Sequence, residues 1–136
     1  RKKIISELPS KVKYTSLISK LSFFPKDVKK QEGLIVMPFC YLTSNISLGK
    51  HVHINSHCTI GHDSNIGDFN TLACSVMISG NTFTNELVYF GMNSCTKQGV
   101  KIAANSIIGL NSGVTKNLNE SGVYIGTPAK ILTKKI

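Results

Sequence analysis

The chain has 136 residues, a formal net charge of +9 and a hydrophobic fraction of 41%. This length suffices for one domain with a buried core, and this hydrophobic fraction excludes a disordered composition. No apolar run approaches the roughly 18 residues that a membrane-spanning helix needs, and no signal-peptide pattern is present. We therefore expect a globular protein with no membrane span in this chain.

The positive charge comes almost entirely from lysine, because Arg1 is the only arginine. A solvated lysine-rich surface explains such a charge, and so does attraction of an anionic ligand such as a nucleotide or a coenzyme phosphate. Proteins that read nucleic-acid bases favour arginine and mix aromatic residues into their basic segments. Neither feature is present, so we expect no nucleic-acid partner.

Residues 1–17 precede the periodic part of the chain. The segment from Lys2 to Leu8 predicts a short helix that ends before Pro9, with Ile4 and Ile5 on the same side as Leu8. We interpret residues 1–17 as an N-terminal connector, or as a cap over the open end of the fold that follows.

From residue 18 to residue 119, an aliphatic residue or phenylalanine returns at every sixth position, except at Lys30, Thr84 and Thr96. A period of six is neither helical nor a simple strand alternation, and it is typical of hexapeptide β-helices. The position four residues further on is mostly small or aliphatic, as a tight interior requires. The six-spaced positions are Ile18, Phe24, Lys30, Val36, Leu42, Leu48, Ile54, Ile60, Ile66, Leu72, Ile78, Thr84, Phe90, Thr96, Ile102, Ile108 and Val114.

The position three residues after each six-spaced residue predicts corners. It is rich in Asn, Asp and Gly, which tolerate the left-handed backbone conformation that a sharp bend between short strands requires. Three sides of six residues make one 18-residue coil, so residues 18–119 predict an all-β, parallel β-helix of about six coils. We expect a local irregularity at Lys30. The predicted corners are Asp27, Gly33, Asn45, Asp63, Asn81, Asn93, Gly99, Asn105, Asn111 and Asn117.

The four cysteines form no C-x-x-C pair, which argues against a structural zinc site and a thioredoxin-type site. Cys40 and Cys58 fill equivalent small-residue places on successive coils. We therefore predict reduced, buried thiols stacked in the core, and with them a cytoplasmic location. The full set is Cys40, Cys58, Cys74 and Cys95.

The C-terminal part, residues 120–136, departs from the repeat. Residues 123–125 predict a strand, and the run Gly126-Thr127-Pro128 ends it. Residues 130–136 form a basic tail.

His62 and Asp63 are the residues that best suit catalysis. His62 lies just before a corner, so its imidazole would point outward, and its ordinary pKa near 6.5 suits a general base. Asp63 could fix its tautomer or raise its basicity. Gly80 takes the place of His62 one coil later, where a backbone N–H could hold a developing oxyanion. A base and an oxyanion donor are what acyl transfer needs.

Each of these residues also has an interpretation without catalysis. Surface histidines are common, and Asp63 occupies a corner that favours aspartate for backbone reasons alone. His51, His53 and His57 are interpreted as surface or interface residues. His57 and His62 have the five-residue spacing of two ligands in β-helix carbonic anhydrases, although no histidine before His51 could supply the third ligand.

Several segments resemble the left-handed β-helix acyltransferases. They are I-G-H-D-S-N-I-G-D-F-N-T, S-G-N-T-F-T, F-G-M-N-S, G-V-K-I, I-I-G-L-N-S-G-V-T-K-N-L and V-Y-I-G-T-P-A-K. More narrowly, they resemble the sugar acetyltransferases that include sialic-acid O-acetyltransferases and the UDP-4-amino-sugar N-acetyltransferases of bacterial glycan synthesis. The resemblance covers roughly residues 16–133.

The resemblance implies a left-handed β-helix that forms a homotrimer, with active sites between subunits and acetyl-CoA in the groove between them. It implies no metal. His62 matches the general base of the family and Asp63 its acidic neighbour, and Gly80 matches the residue whose amide meets the thioester carbonyl.

The resemblance also implies further cofactor contacts. Met92 and Leu110, one coil apart, match positions that touch the pantetheine arm. Lys116 and Lys130 are candidates for contact with the CoA phosphates. Thr71 stands where many members of the family have a second histidine near the thioester, and it remains a candidate cofactor contact.

A second departure from the family concerns the acceptor. Such enzymes usually carry an N-terminal domain that binds the sugar nucleotide, and the Gly-rich start of such a domain is absent from this sequence. Either that domain lies outside the sequence, or the chain is one domain of a larger fusion, or the acceptor is held differently.

The leading hypothesis is acetyl transfer from acetyl-CoA to an amine, or less readily a hydroxyl, of a nucleotide-linked sugar. The alternatives are an acyltransferase with a small non-sugar acceptor, a carbonic-anhydrase-like metal β-helix, and a non-catalytic trimeric scaffold.

Overall fold

The computed structural model describes residues 1–133, which form one short helix and many two-residue strands. The last three residues of the predicted basic tail lie outside the described residues. The elements are α1 Lys2–Glu7, β1 Leu17–Ile18, β2 Ile35–Val36, β3 Tyr41–Leu42, β4 Ser47–Leu48, β5 His53–Ile54, β6 Thr59–Ile60, β7 Asn65–Ile66, β8 Thr71–Leu72, β9 Met77–Ile78, β10 Phe83–Thr84, β11 Tyr89–Phe90, β12 Cys95–Thr96, β13 Lys101–Ile102, β14 Ile107–Ile108, β15 Gly113–Val114, β16 Val123–Ile125 and β17 Lys130–Ile131.

The strands stack into three sheets, which form the sides of a parallel β-helix of about six coils. Sheet A has the order β1-β2-β5-β8-β11-β14-β16-β17, sheet B has β15-β12-β9-β6-β3, and sheet C has β13-β10-β7-β4. Each strand from β2 to β12 pairs in parallel with the equivalent strand of the next coil, as in His53 with Thr71 and Thr59 with Met77. The predicted all-β, parallel β-helix is confirmed.

The core is a continuous ladder of the second residue of each strand and the small residue four positions later. Ile54, Ile60, Ile66 and Leu72 have no exposed surface. The two threonine exceptions are accommodated by polar partners. Thr96 Oγ1 accepts the backbone N–H of Ser79 at 2.9 Å, and Asn70 Nδ2 donates to Thr84 Oγ1.

Corners occur at every sixth residue from Gly33 to Asn111, and each has a positive φ. This confirms the corner period, but the residue types go beyond Asn, Asp and Gly. Neighbours one coil away explain several of the bulky exceptions, since the Phe39 ring stacks on His57 and the His51 ring on Phe69. The corners outside the predicted set are Phe39, His51, His57, Phe69, Ser75 and Leu87. The predictions at Asp27 and Asn117 are wrong, because neither has a positive φ.

The first and last coils are irregular. Lys30 is exposed and lies outside any strand, as expected from its place in the repeat. At the other end the period shortens from 18 to 16, because Ile107 pairs with Val123 and Ile102 forms a bridge with Leu118. The chain then reverses, and β17 pairs antiparallel with β16.

The N-terminal segment lies along the side of the β-helix, against sheet A. The Arg1 guanidinium donates to the carbonyl oxygen of Phe69 at 2.7 Å, and Lys2 forms an ion pair with Glu86 at 2.6 Å. His51, interpreted from the sequence as a surface or interface residue, is instead buried within the chain. The residue is 6% exposed, because its ring packs between Tyr14 and Phe69.

The cysteines are free thiols. Cys40 and Cys58 are buried as predicted, and each Sγ donates to a backbone carbonyl at 3.0 Å. Cys74 is half-buried and Cys95 is exposed, so burial extends only to the first two. Within residues 1–133, no helix is long and apolar enough to cross a bilayer.

Candidate active site

His62 projects from the surface because of its place in the repeat. It follows β6 and Gly61, while Ile60 and Ser64 on either side point into the core. Asp63 next to it has a φ of 58°, which turns the chain from sheet B towards sheet C. The His62 side chain is therefore left about half exposed at this corner, with a relative accessibility of 51%.

The His62 ring is held by its neighbour. Its Nδ1 lies 2.7 Å from Asp63 Oδ2, and a carboxylate can only accept, so Nδ1 carries the proton. In the neutral ring Nε2 then has a free lone pair. This tautomer is the one that a general base requires.

Asp63 is kept ionised by two donors. A hydrogen bond from Asn45 and a second one from His62 hold the pKa of the Asp63 carboxyl below its usual value of 3.8, and slight desolvation only partly opposes them. Asn45 Nδ2 donates to Asp63 Oδ1 at 2.6 Å. Each carboxylate oxygen thus has its own donor.

Gly80 lies directly against the Nε2 side of the ring. A Cβ at Gly80 would be 2.7 Å from His62 Nε2 and 2.8 Å from Cε1, so only a glycine leaves room for the imidazole. Gly80 is itself buried, and a Cβ at Gly61 would collide with its backbone nitrogen. Among the hydrogen bonds of residues 1–133, none uses the Gly80 N–H as donor. A backbone donor without an acceptor in residues 1–133 therefore lies next to the candidate base His62.

The row that contains His62 and Gly80 continues upward through Gln98 to Lys116. The coils are tied by backbone bonds, from Asn81 N–H to the His62 oxygen at 2.7 Å and from Gly99 N–H to the Gly80 oxygen at 3.1 Å. At about 4.8 Å per coil, Lys116 lies roughly 14 Å above His62. Lys116 and Lys130 line one cleft of about 530 Å³ at this end.

The other candidate residues lie on a different side of the same chain. Thr71 is in β8 of sheet A, half-buried, and its Oγ1 accepts from Arg1 at 3.0 Å. Met92 and Leu110 follow β11 and β14 of sheet A and are 58% and 69% exposed. They stack as expected, because Asn111 N–H donates to the Met92 oxygen at 2.9 Å. One copy of the chain therefore does not bring these three residues to His62.

The geometry does not bring His57 and His62 together as ligands of one metal. His57 is the corner residue between sheets A and B and stacks on Phe39, whereas His62 lies at the corner between sheets B and C. Within residues 1–133, no group of three or more His, Cys, Asp or Glu side chains could hold a metal ion.

Asn45 is the one site residue that sequence reasoning missed as functional. The repeat predicts it only as a corner, although the register places it one coil before Asp63 and thus directly beneath it. The register alone could have indicated this contact.

Comparison with curated proteins identifies two acyltransferases. A GDP-perosamine N-acetyltransferase from Escherichia coli O157:H7 is 32% identical over 68 residues, which are 50% of this chain and 31% of that protein. A UDP-3-O-acylglucosamine N-acyltransferase from Sulfurimonas denitrificans is 33% identical over 78 residues, or 57% of this chain and 24% of that protein. No protein-family model matches the sequence.

Two solved structures are similar over most of the chain. WeeI from Acinetobacter baumannii AYE has a TM-score of 0.91 and 31% identity, and the match covers 97% of this chain and 65% of WeeI. PerB from Caulobacter crescentus, crystallised with CoA and GDP-perosamine, has a TM-score of 0.87 and 26% identity, over 89% of this chain and 58% of PerB. The chain thus spans about two thirds or less of each structure and about a third or less of each curated relative.

The fold, the repeat and these similarities agree on one class of protein. The chain has the repeat and the left-handed β-helix fold of the hexapeptide-repeat acyltransferases, and it is similar to members of that class over most of its length.

Proposed function

We propose that the protein transfers an acetyl group from acetyl-CoA to the amine of a nucleotide-linked sugar in bacterial glycan synthesis. The observation that carries this proposal is the arrangement of His62, with Nδ1 held by Asp63 and Nε2 next to Gly80, whose N–H donates to no acceptor within residues 1–133. The similarity to a GDP-perosamine N-acetyltransferase and to PerB, crystallised with CoA and GDP-perosamine, supports this donor and this acceptor class.

The chemistry follows from the two polar groups. The acceptor amine attacks the thioester carbonyl carbon, and His62 Nε2 takes the proton that the nitrogen loses. The carbonyl oxygen becomes negative and is stabilised by the Gly80 N–H. The carbon–sulfur bond then breaks, and the imidazolium returns the proton to the thiolate. Asp63 stabilises the imidazolium, because its carboxylate stays ionised beside Nδ1.

The donor would run along the row above His62. Its phosphates would meet Lys116 and Lys130, whose cleft lies at the end of this row. Lysine is a point charge and binds phosphate without the fixed geometry of arginine, so we expect each lysine to contribute modestly.

We further propose a homotrimer. If Thr71, Met92 and Leu110 contact the donor beside His62, they must come from a second copy, because they belong to sheet A of their own chain. Exposed apolar side chains on sheets A and B support such packing, among them Tyr41, Met77, Tyr89 and Ile107.

Two coarser proposals complete this assignment. Residues 18–119 would form the acetyltransferase domain, between the N-terminal connector and the C-terminal strand and tail. Free thiols and an acetyl-CoA donor both suit a cytoplasmic location.

A thiol-release assay with acetyl-CoA tests the proposal. The acceptors would be UDP- and GDP-linked amino sugars, sialic acids and small amines, and the longest natural chain that contains this sequence should be included. We expect thiol release that depends on a nucleotide-linked amino sugar. Release that depends only on a hydroxyl acceptor or a small amine would replace the proposed acceptor, and absence of CoA binding in calorimetry would favour a scaffold.

A further inference from the structure

A column of polar side chains runs up the corner that carries His62. The side chains of Asp27, Asn45 and Asp63 lie one above another on successive coils. Asp27 Oδ2 accepts the backbone N–H of Asn45 at 2.8 Å, and Asn45 Nδ2 donates to Asp63 Oδ1 at 2.6 Å. The remaining oxygen of Asp63, Oδ2, is the one that meets His62 Nδ1.

We propose that Asn45 is a positioning residue, whose side-chain amide fixes the Asp63 carboxylate so that His62 keeps the proton on Nδ1. The kinetic part of this inference rests on the proposed function, whereas its structural part does not. Asn45 lies one coil below the reacting atoms and acts on them only through Asp63 and His62.

The Asp63 carboxylate needs a second hydrogen-bond partner because its side chain is exposed to solvent. The Asp63 side chain is 44% exposed, so its carboxylate could rotate and bond to water instead of His62 Nδ1. A donor on Oδ1 removes this freedom and leaves Oδ2 directed at the ring. Without that anion, a neutral imidazole in water favours the proton on Nε2, and this tautomer has no lone pair facing Gly80.

Asn45 is itself well fixed. Its backbone has a φ of 55°, which asparagine tolerates, and its N–H is held by Asp27. The Asp63 N–H donates to the Ser44 oxygen at 3.1 Å, so the two corners keep their spacing. The ionisable groups that bond directly to the Asn45–Asp63 pair are Asp27 and His62.

A second corner supplies a matched control. Asn93 has a φ of 57°, and its Nδ2 donates to Asn111 Oδ1, one coil above, at 2.7 Å. Its backbone, exposure and bond are those of Asn45, but it lies at the corner between sheets A and B. Asn93→Gly and Asn93→Asp therefore report what such changes do to any corner.

Nuclear magnetic resonance of the histidine nitrogens tests the structural part. In the wild-type protein we expect the His62 nitrogens to show the proton on Nδ1. In Asn45→Gly the population should move towards Nε2–H and the pKa of Asp63 should rise, because the first of its two donors is gone. Asn93→Gly should leave both signals unchanged. An unchanged His62 tautomer in Asn45→Gly would overturn the inference, whatever the activity of the protein.

Turnover tests the kinetic part and separates two roles. Glycine and aspartate both tolerate the corner backbone, so a merely structural Asn45 would survive both changes. We expect Asn45→Gly to lower kcat about fivefold, as loss of one solvent-exposed hydrogen bond of ordinary strength predicts, with both KM values unchanged. Asn45→Asp should do the same or worse, because it replaces the donor with a second carboxylate. Wild-type kcat in both variants would contradict the role.

Lack of turnover in the wild type would contradict the proposed function alone, and the resonance experiment would still decide this inference.

Discussion

Two histidines at neighbouring corners of this β-helix have opposite environments. His51 is 6% exposed, stacked on Phe69 and edge-on to Tyr14, and it fixes the N-terminal segment against sheet A. His62 is about half exposed and bonded to Asp63, with Gly80 directly above it. His51 is itself a corner residue, with a φ of 56°, whereas His62 comes one residue before the corner at Asp63. The place in the hexad and the neighbouring side chains therefore decide whether a histidine is packed or exposed.

The largest effect is expected from removal of the proposed general base, His62. His62→Ala should lower kcat by about 100-fold or more, because a positioned general base contributes this much. The variant should remain folded, since the side chain is exposed. Thiol release and thermal melting measure the two quantities. His57→Ala, at an exposed corner, is the control, and an equal loss in both variants would refute a specific role for His62.

The next largest effect is expected at Gly80, which leaves space for the His62 ring. Gly80→Ala would place a methyl group 2.7 Å from Nε2, so the ring or the coil must move. We expect kcat to fall roughly 10- to 100-fold, because small displacements of a catalytic group are costly. Gln98→Ala, the next position in the row along which the donor would run, should affect at most the KM for acetyl-CoA and leave kcat unchanged. A crystal structure of Gly80→Ala with an undisturbed His62 ring would contradict this explanation.

A smaller effect is expected from removal of the packed histidine, His51. His51→Ala should lower the free energy of unfolding by about 1–2 kcal/mol, through loss of two aromatic contacts. The kcat value should not change, since this corner takes no part in the chemistry. Urea unfolding provides the measurement. If the His51 variant lost activity without losing stability, the division between the two corners would be wrong.

The smallest effect concerns the pH dependence of stability that arises from His53, next to the packed corner at His51. Partial burial, and then Arg1 and His51, lower the pKa of His53 to about 4. Between its ordinary pKa of about 6.5 and this value, the unfolded chain binds more protons, so stability falls as the pH is lowered through this window. His53→Gln should reduce the fall in melting temperature between pH 6.5 and pH 4, and the control variant His57→Gln should retain the fall seen in the wild-type protein. Identical slopes in the wild-type protein and His53→Gln would rule this cause out.

Much of the fold could be predicted because each hexad repeats the same pattern of buried, small and corner residues. A buried aliphatic residue, a small residue and a corner recur in register, and the strands from Ile35 to Val114 follow that register without a slip. The shortened last coil could not be predicted, since its pairing depends on how Val123 meets Ile107 and not on a local pattern.

The candidate site was predictable only in part. His62, Asp63 and Gly80 lie together because they share a corner and a row. The separation of Met92 and Leu110 from them follows from the same register, since they belong to sheet A. The burial of His51 depends on Tyr14, a residue outside the repeat, and no period could indicate that contact.

The most direct test of the account is mass spectrometry of the acceptor after reaction with labelled acetyl-CoA. We predict that a nucleotide-linked amino sugar gains one labelled acetyl group on its amine with the wild-type protein and gains almost none with His62→Ala. Equal acetylation by both proteins, or release of CoA with no acetylated sugar, would contradict the account.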